Sequence, residues 1–482
     1  MSHILERIYP YVPVWAQNLG ITLYGYRYRH ERMAGRYQQY VDEFRERDNY
    51  SESEMRTYLN GQLQPLLQHA FEHVPYYSRK WRESGLGRGD LAHFRVADLA
   101  RLPTTLKMDL RLDPYSFVAT NIRGKDLCRY YTSGSTGTPI LAICTADGHR
   151  RFLAAREARS FAWAGTSIRL SRSMLGGRMI VPSSTSKGPF YRYNLAERQV
   201  YFTAYHINSQ NVTNYVEGFN RYRPRLLTGY AYSHYTLARL MLDQNLKLDY
   251  RPDAIVLSSE KLTVEMKNVI QRAFGARAYE EYGTVEQCAL ATECEQGSLH
   301  VSPDFGIVEI LDEHNRPVPP GVEGRLVCTS LTNDAQPLVR YEIGDVGVWA
   351  DQPCSCGRNH LPVLKELVGR LEDAVIAPDG TEMVRFHGIF IDLPHVLEGQ
   401  IVQEKLDLLR VRVVATEGFG PEDEQLIRRR ITQERLRGMQ VQIERVPALE
   451  RTSRGKFKAI VSRLSGHQRR VGISVDAEAG KP

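Results

Sequence analysis

The chain has 482 residues, 25% of them charged and 42% hydrophobic, with a net charge of +7. That length exceeds one core and predicts two or more domains of a soluble type. The charge excess is small and its arginines are scattered, with short solvated runs at Arg428–Arg430 and Arg469–Arg470, which argues against nucleic acid as a partner. No stretch approaches the roughly 18 apolar residues of a membrane span, and the N-terminal residues lack the apolar core of a signal peptide. Seven cysteines are too few and odd in number for a secreted disulfide scaffold, so a reducing cytoplasm is the expected location.

Along the chain, Tyr9–Tyr28 is rich in aromatics, including Trp15, Tyr24 and Tyr26. Aromatics mostly serve cores, so this segment is expected to pack on its own domain, with a membrane surface as the alternative. Ser51–Leu63 reads as a helix, and Pro65 suits the first position of a second one. There Leu66, Leu67, Ala70, Phe71 and Val74 recur at helical spacing until Pro75. Gly85–Gly89 mimics part of a dinucleotide fingerprint, but no βαβ unit surrounds it.

Leu127–Tyr131 and Pro139–Cys144 have strand content and flank Thr132-Ser133-Gly134-Ser135-Thr136-Gly137-Thr138. Such a loop offers backbone N–H groups and hydroxyls to an anion. Thr138 stands where a Walker loop needs lysine, so that reading fails; a plain polar turn is the bland alternative. Strands are predicted at Arg178–Val181, Ala254–Leu257 and Gly306–Ile310, with helices at Tyr235–Leu242 and Thr263–Phe274. Glu309–Pro317 reads as the first half of a hairpin turning around Glu313–Arg316. This alternation implies an α/β architecture. Lys405–Pro447 looks like a separate small unit, with strands at Leu408–Val414 and Val441–Val446 around a helix at Pro421–Leu436. Beyond about 466 the chain is polar and reads as a loose tail.

Four further motifs follow the Ser/Thr/Gly loop in one order: Tyr282-Gly283-Thr284-Val285-Glu286, Arg340-Tyr341-Glu342-Ile343-Gly344-Asp345, Gly369-Arg370-Leu371-Glu372-Asp373 and Arg451-Thr452-Ser453-Arg454-Gly455-Lys456. Together these five resemble the signature of the adenylate-forming superfamily, which includes acyl-CoA synthetases, luciferase and peptide-synthetase adenylation domains. His73-Val74-Pro75-Tyr76-Tyr77 and Leu102-Pro103-Thr104-Thr105-Leu106-Lys107 resemble the branch of phenylacetate–CoA ligase and its capsule-biosynthesis relatives. Many members carry lysines around the loop proline; Thr138 and Ile140 here fit the capsule-biosynthesis relatives better.

The resemblance implies a large multi-subdomain N-terminal domain (1–370), a small mobile α+β C-terminal lid (371–465) and a tail (466–482). It implies ATP-dependent activation of a carboxylic acid as an acyl-adenylate, with transfer to coenzyme A. An amine or carrier thiol is the alternative acceptor, and a non-catalytic nucleotide-binding protein the alternative of another class. By position, Thr132, Ser133, Gly134, Ser135, Thr136 and Gly137 would hold the triphosphate. Thr284 would contact the α-phosphate, Glu286 would help hold Mg2+, and Tyr282 and Gly283 would frame the nucleotide. Ser259 and Glu260 would line the adenine pocket, where two serines, Ser258 and Ser259, replace the family's glycines. Asp345 would hold the ribose, Arg370 would contact the nucleotide, and Lys456 would bridge carboxylate and α-phosphate. Glu372 or Asp373 would be the hinge pivot. The aromatic candidates for the acid pocket are Tyr205, His206, Tyr230 and Tyr232.

Cys294, His300, Cys354 and Cys356 form a soft ligand set suited to structural zinc. Three inert thiols beside an unrelated histidine is the alternative, and Cys288 is a substitute ligand. Some members of the branch carry a Cys/His zinc site in this part of the fold. The particular carboxylic acid and the oligomeric state are not legible.

Overall fold

The computed structural model describes residues 9, 12–132, 140–178, 180–181, 187–370, 375–376, 378, 382–383, 389–390, 393, 395–432, 436, 438–450 and 458–464, with backbone alone at 370, 382, 383 and 397. The chain divides into two compact units. One comprises Met1–Ile343 with Gly347–Leu367, the other Gly344–Val346 with Val368–Pro482.

A twelve-stranded mixed sheet is the frame of the larger unit. Its parallel part holds Gln199–Thr203, Arg172–Gly176, Leu226–Tyr230, Ala254–Ser258 and Ala278–Gly283 in that spatial order, with Tyr191–Asn194 antiparallel at the edge. Strands buried on both faces read as apolar runs, as Ala254–Leu257 does. Helices Ala231–Asp243 and Val264–Phe274 return the chain between strands, the second capped by the Thr263 hydroxyl accepting the Met266 N–H at 3.2 Å. Ala278–Gly283 is the turning point: it runs parallel to Ala254–Ser258 but antiparallel to Leu290–Glu293. The remaining strands, Leu299–Val301, Val363–Arg370, Tyr341–Trp349, Glu323–Ser330 and Gly306–Leu311, complete the sheet.

Three expectations are corrected here. Glu52–His73 is one helix with Pro65 inside it, not two. A proline removes the bond to the carbonyl four residues back, and Gly61, which carries it, is exposed to water. Burial of Leu59, Leu63, Leu66, Leu67, Ala70 and Phe71 along one face outweighs that loss. The predicted strand at 178–181 is instead Arg172–Gly176. Tertiary pairing with both neighbours overrides the weak β-propensity of Arg-Ser-Met. The aromatic N-terminal segment forms the helix Val14–Met33, yet Trp15, Tyr24 and Tyr26 are exposed on it rather than packed.

The smaller unit has a four-stranded sheet in the order Gln440–Arg445, Leu408–Ala415, Val396–Lys405, Ile460–Ser462. Helix Pro421–Thr432 buries Ile427 and Ile431 in a cluster with Ile401, Leu409, Val411 and Val441. Its first turn carries Glu422, Asp423 and Glu424, as suits the helix dipole. The helix is described as far as Thr432, and Leu436, its expected end, is not helical. The two units together make the α/β fold with a smaller C-terminal domain that the sequence predicts.

Candidate active site

In a sheet with parallel strands, ligand sites form beyond the strands' carboxyl ends, where the topology switches. Three predicted segments lie there on neighbouring strands. Tyr230 ends Leu226–Tyr230 and is in register with Ser258, which ends Ala254–Ser258. Tyr282 and Gly283 end the next strand, at the parallel-to-antiparallel switch. The structure thus brings together Tyr230, Ser259, Glu260, Thr284 and Glu286. The Glu260 carboxylate accepts the Tyr232 N–H at 2.8 Å, tying two of these loops. Ser259 adopts φ +72°, the left-handed conformation glycine prefers. A serine thus holds a conformation that glycine adopts more readily.

Thr284 and Glu286 are 7% and 6% exposed. The Thr284 hydroxyl oxygen accepts the Cys288 N–H at 3.2 Å, which fixes the rotamer. Cys288 therefore stands beside Thr284 and not among the metal-ligand candidates. Glu286 has no side-chain hydrogen bond or ion pair among the described residues. Burial pushes the Tyr341 phenol well above its ordinary range, and the Glu286 charge adds to that. An acceptor-only carboxylate with no described cationic partner has the donor chemistry that a hard cation takes.

The Ser/Thr/Gly loop springs from an antiparallel hairpin, Leu127–Tyr131 against Leu141–Thr145. Thr132 closes its neck: its N–H donates to the Ile140 carbonyl at 3.0 Å, and its hydroxyl accepts the Ile140 N–H at 2.8 Å. Ser133, Gly134, Ser135, Thr136 and Gly137 lie outside the described residues, as do Glu372, Asp373 and Lys456. Arg370 ends the strand Val363–Arg370, its side chain outside that description. Asp345 is half-buried in Tyr341–Trp349.

Sequence reasoning missed Gln287, which follows Glu286 with φ +55°. Its amide reaches Cys144 Sγ at 3.5 Å and His149 Nδ1 at 3.4 Å, joining the Thr284–Glu286 turn to the hairpin and its following helix. Burial drives His149 down to about 3, so it is a neutral acceptor here. No motif marks it. Of the acid-pocket candidates, His206 is buried and stacked 4.8 Å from Phe190, and the Tyr205 hydroxyl donates to the Gly177 carbonyl at 3.3 Å.

Cys294, His300, Cys354 and Cys356 converge, their ligand atoms all within 4.8 Å of one another. Cys294 Sγ lies 3.6 Å from Cys354 Sγ, and Cys356 Sγ 3.3 Å from His300 Nε2. Thiolates on a tetrahedral zinc at about 2.3 Å sit roughly 3.8 Å apart, so these spacings fit such an ion. His300 Nδ1 lies 3.1 Å from the Leu361 carbonyl. Donation there leaves Nε2 as the lone pair facing the thiols. Burial lowers the His300 pKa and raises the Cys294 thiol to about 11. A cation would reverse the latter. Gly357 at φ +84° makes the turn after Cys356.

Residues 376–463 match the family described as the CapK C-terminal domain. Protein CapK of Staphylococcus aureus is 26% identical over 415 residues, 85% of this chain and 88% of that protein. A phenylacetate–coenzyme A ligase of Thermus thermophilus is 28% identical over 400 residues, covering 76% and 82%. The chain is a homologue of CapK and the phenylacetate–CoA ligases. A solved 2-hydroxyisobutyryl-CoA ligase, complexed with an acyl-AMP in the postadenylation state, shares the fold at a TM-score of 0.67 and 22% identity, over 90% of this chain and 94% of that one.

Proposed function

We propose that the protein condenses a carboxylic acid with ATP to an acyl-adenylate, releasing pyrophosphate, and then transfers the acyl group to the thiol of coenzyme A. The observation that carries this reading is the placement of Thr284 and Glu286 at the strand switch, joined through Gln287 to the hairpin that bears the Ser/Thr/Gly loop. The relation to phenylacetate–CoA ligases supports it.

In the first step a carboxylate oxygen attacks the α-phosphorus, and pyrophosphate leaves. Developing negative charge there needs fixed donors and positive charge. Thr284, held by the Cys288 N–H, keeps its own proton to donate to an α-phosphate oxygen. Residues 133–137 would offer hydroxyls and N–H groups to the triphosphate, joined by the Thr132 hydroxyl proton, and Lys456 and Arg370 would supply positive charge. Glu286 would hold Mg2+, which neutralises phosphate charge when bound. Asp345 accepts from the ribose hydroxyls, while Ser259 and Glu260 border the adenine. In the second step sulfur attacks the acyl carbonyl carbon and AMP leaves. Cys294, His300, Cys354 and Cys356 would hold a zinc ion as a closed structural site away from this chemistry.

A second reading sends the acyl group to an amine or carrier thiol. The test is pyrophosphate–ATP exchange against a panel of carboxylic acids, then acceptor trials with coenzyme A and amines. Acid-dependent exchange is expected. Folded protein that binds ATP but exchanges with no acid would leave a nucleotide-binding protein instead.

A further inference from the structure

The helix Val14–Met33 is docked with much of its polar side inward. Gln17 is buried and takes a bond from Arg192; Asn18 accepts the Tyr193 N–H at 3.0 Å, and Thr22 the Leu195 N–H at 3.1 Å. Gly25 lets the helix touch the edge strand: a Cβ there would lie 2.3 Å from Asn194 Oδ1. The outward stripe is apolar. Trp15, Leu19, Leu23 and Tyr26, at helical spacing, are 70%, 52%, 63% and 60% exposed, and the neighbouring Leu195 is 60% exposed. An amphipathic helix normally faces its core the other way.

Beside this stripe opens a cavity of about 430 Å3, sharing Tyr26 and bordered by Arg29, His30, Arg169, Arg172 and Arg198. The one acid in its lining, Glu197, is neutralised by Arg172 at 2.8 Å. The other arginines donate to carbonyl or amide oxygens and have no acid partner among the described residues: Arg29 to Ala196, Arg198 to Arg169 and Arg169 to Gln38.

We propose that this face docks the protein on a membrane surface rich in anionic phospholipid. Trp15, Leu19 and Leu23 enter the interfacial layer, where tryptophan, tyrosine and leucine partition well. A lipid phosphate occupies the arginine cavity, the geometry guanidinium groups recognise. A second copy of the chain fits less well. Five partly exposed side chains fall far short of the ~800 Å2 per partner of a stable dimer, and the arginines of two copies would repel. Among the described residues no helix is long and apolar enough to cross a membrane, so the docking is peripheral.

The test is sedimentation of the full chain with vesicles of phosphatidylcholine alone or mixed with phosphatidylglycerol. At least tenfold more protein should pellet with the anionic vesicles. Leu19→Glu with Leu23→Glu should abolish that gain, as should Arg29→Gln with Arg198→Gln, at unchanged thermal midpoint and exchange activity. All these side chains are exposed, so the variants should fold. Absence of anionic vesicle binding, or binding indifferent to both double variants, overturns the proposal. So does a concentration-dependent dimer that the leucine variant dissolves without any vesicle binding. Loss of binding on adding millimolar inorganic phosphate, with no dependence on Leu19 and Leu23, would reduce the face to an anion cavity and also overturn it.

Discussion

The backbone N–H of Thr105 donates to the carbonyl of Arg340 at 2.8 Å, and the Thr105 carbonyl accepts the Glu342 N–H at 2.9 Å. The Thr105 hydroxyl adds a bond to the Val339 carbonyl at 2.8 Å. The Val339 N–H in turn donates to the Tyr77 hydroxyl at 2.8 Å. Both segments that mark the branch in the sequence, at 73–77 and 102–107, thus brace the entry to the Arg340-Tyr341 motif. Their role in the fold is structural.

Arg340 is 1% exposed, with φ +45°, and its guanidinium reaches Glu309 at 3.0 and 3.1 Å and the Leu102 carbonyl. Breaking a buried pair leaves the other charge uncompensated. Arg340→Ala should lower unfolding free energy by about 3–5 kcal/mol in denaturant titration. A loss under about 1 kcal/mol would show that this anchor is dispensable.

Burial pushes the Glu280 carboxyl up to about 7, only partly opposed by the Leu262 N–H and Lys267. The folded value lies above the ordinary 4.5 of a glutamate, so the folded state binds the proton more tightly. The contribution is full below 4.5 and is lost as pH rises through 7. Glu280→Gln should remove this slope, gaining on the natural protein between pH 5 and 8 by on the order of 1–3 kcal/mol. Thermal midpoints of both proteins across that range check it. Parallel curves would show that Glu280 ionises freely.

Purified protein should contain about one zinc ion per chain. Cys354→Ser should lower the zinc content and cut stability by at least ~2 kcal/mol, because a closed site contributes folding free energy. Elemental analysis with thermal melts decides it. Metal-free protein that is folded, stable and active would end the zinc assignment.

Lys456→Ala should slow adenylate formation by ~10²-fold or more, the scale for loss of one charge-stabilising group. Transfer from pre-formed acyl-adenylate should be much less affected, since the assigned role belongs to the first step. Single-turnover assays of each half-reaction separate the two. Equal impairment of both would show that Lys456 serves the whole cycle.

Much of the architecture was legible because local signals agreed with the fold. The Ala254–Leu257 run, the helix predicted at Thr263–Phe274 and the acidic first turn at Glu422–Glu424 each report short-range physics. The strand Arg172–Gly176 was not legible, because its stability comes from two neighbouring strands and not from its own residues. Pro65 misled for a similar reason: local cost favours a break, while a buried face spanning the helix favours continuity.

The same division holds at the candidate site. The sequence by itself determined the family resemblance, the order of the motifs and the four Cys/His residues, since these are fixed by residue identity along the chain. Only the tertiary structure decided that Cys294, His300, Cys354 and Cys356 converge within 4.8 Å. It alone decided that Gln287 ties Glu286's turn to His149, and that Trp15, Leu19 and Leu23 face outward. Sequence spacing gives the face of a helix, but which face is buried depends on the surface it meets. Here that surface is an edge strand whose Tyr193, Asn194 and Leu195 take the helix through hydrogen bonds and a glycine contact.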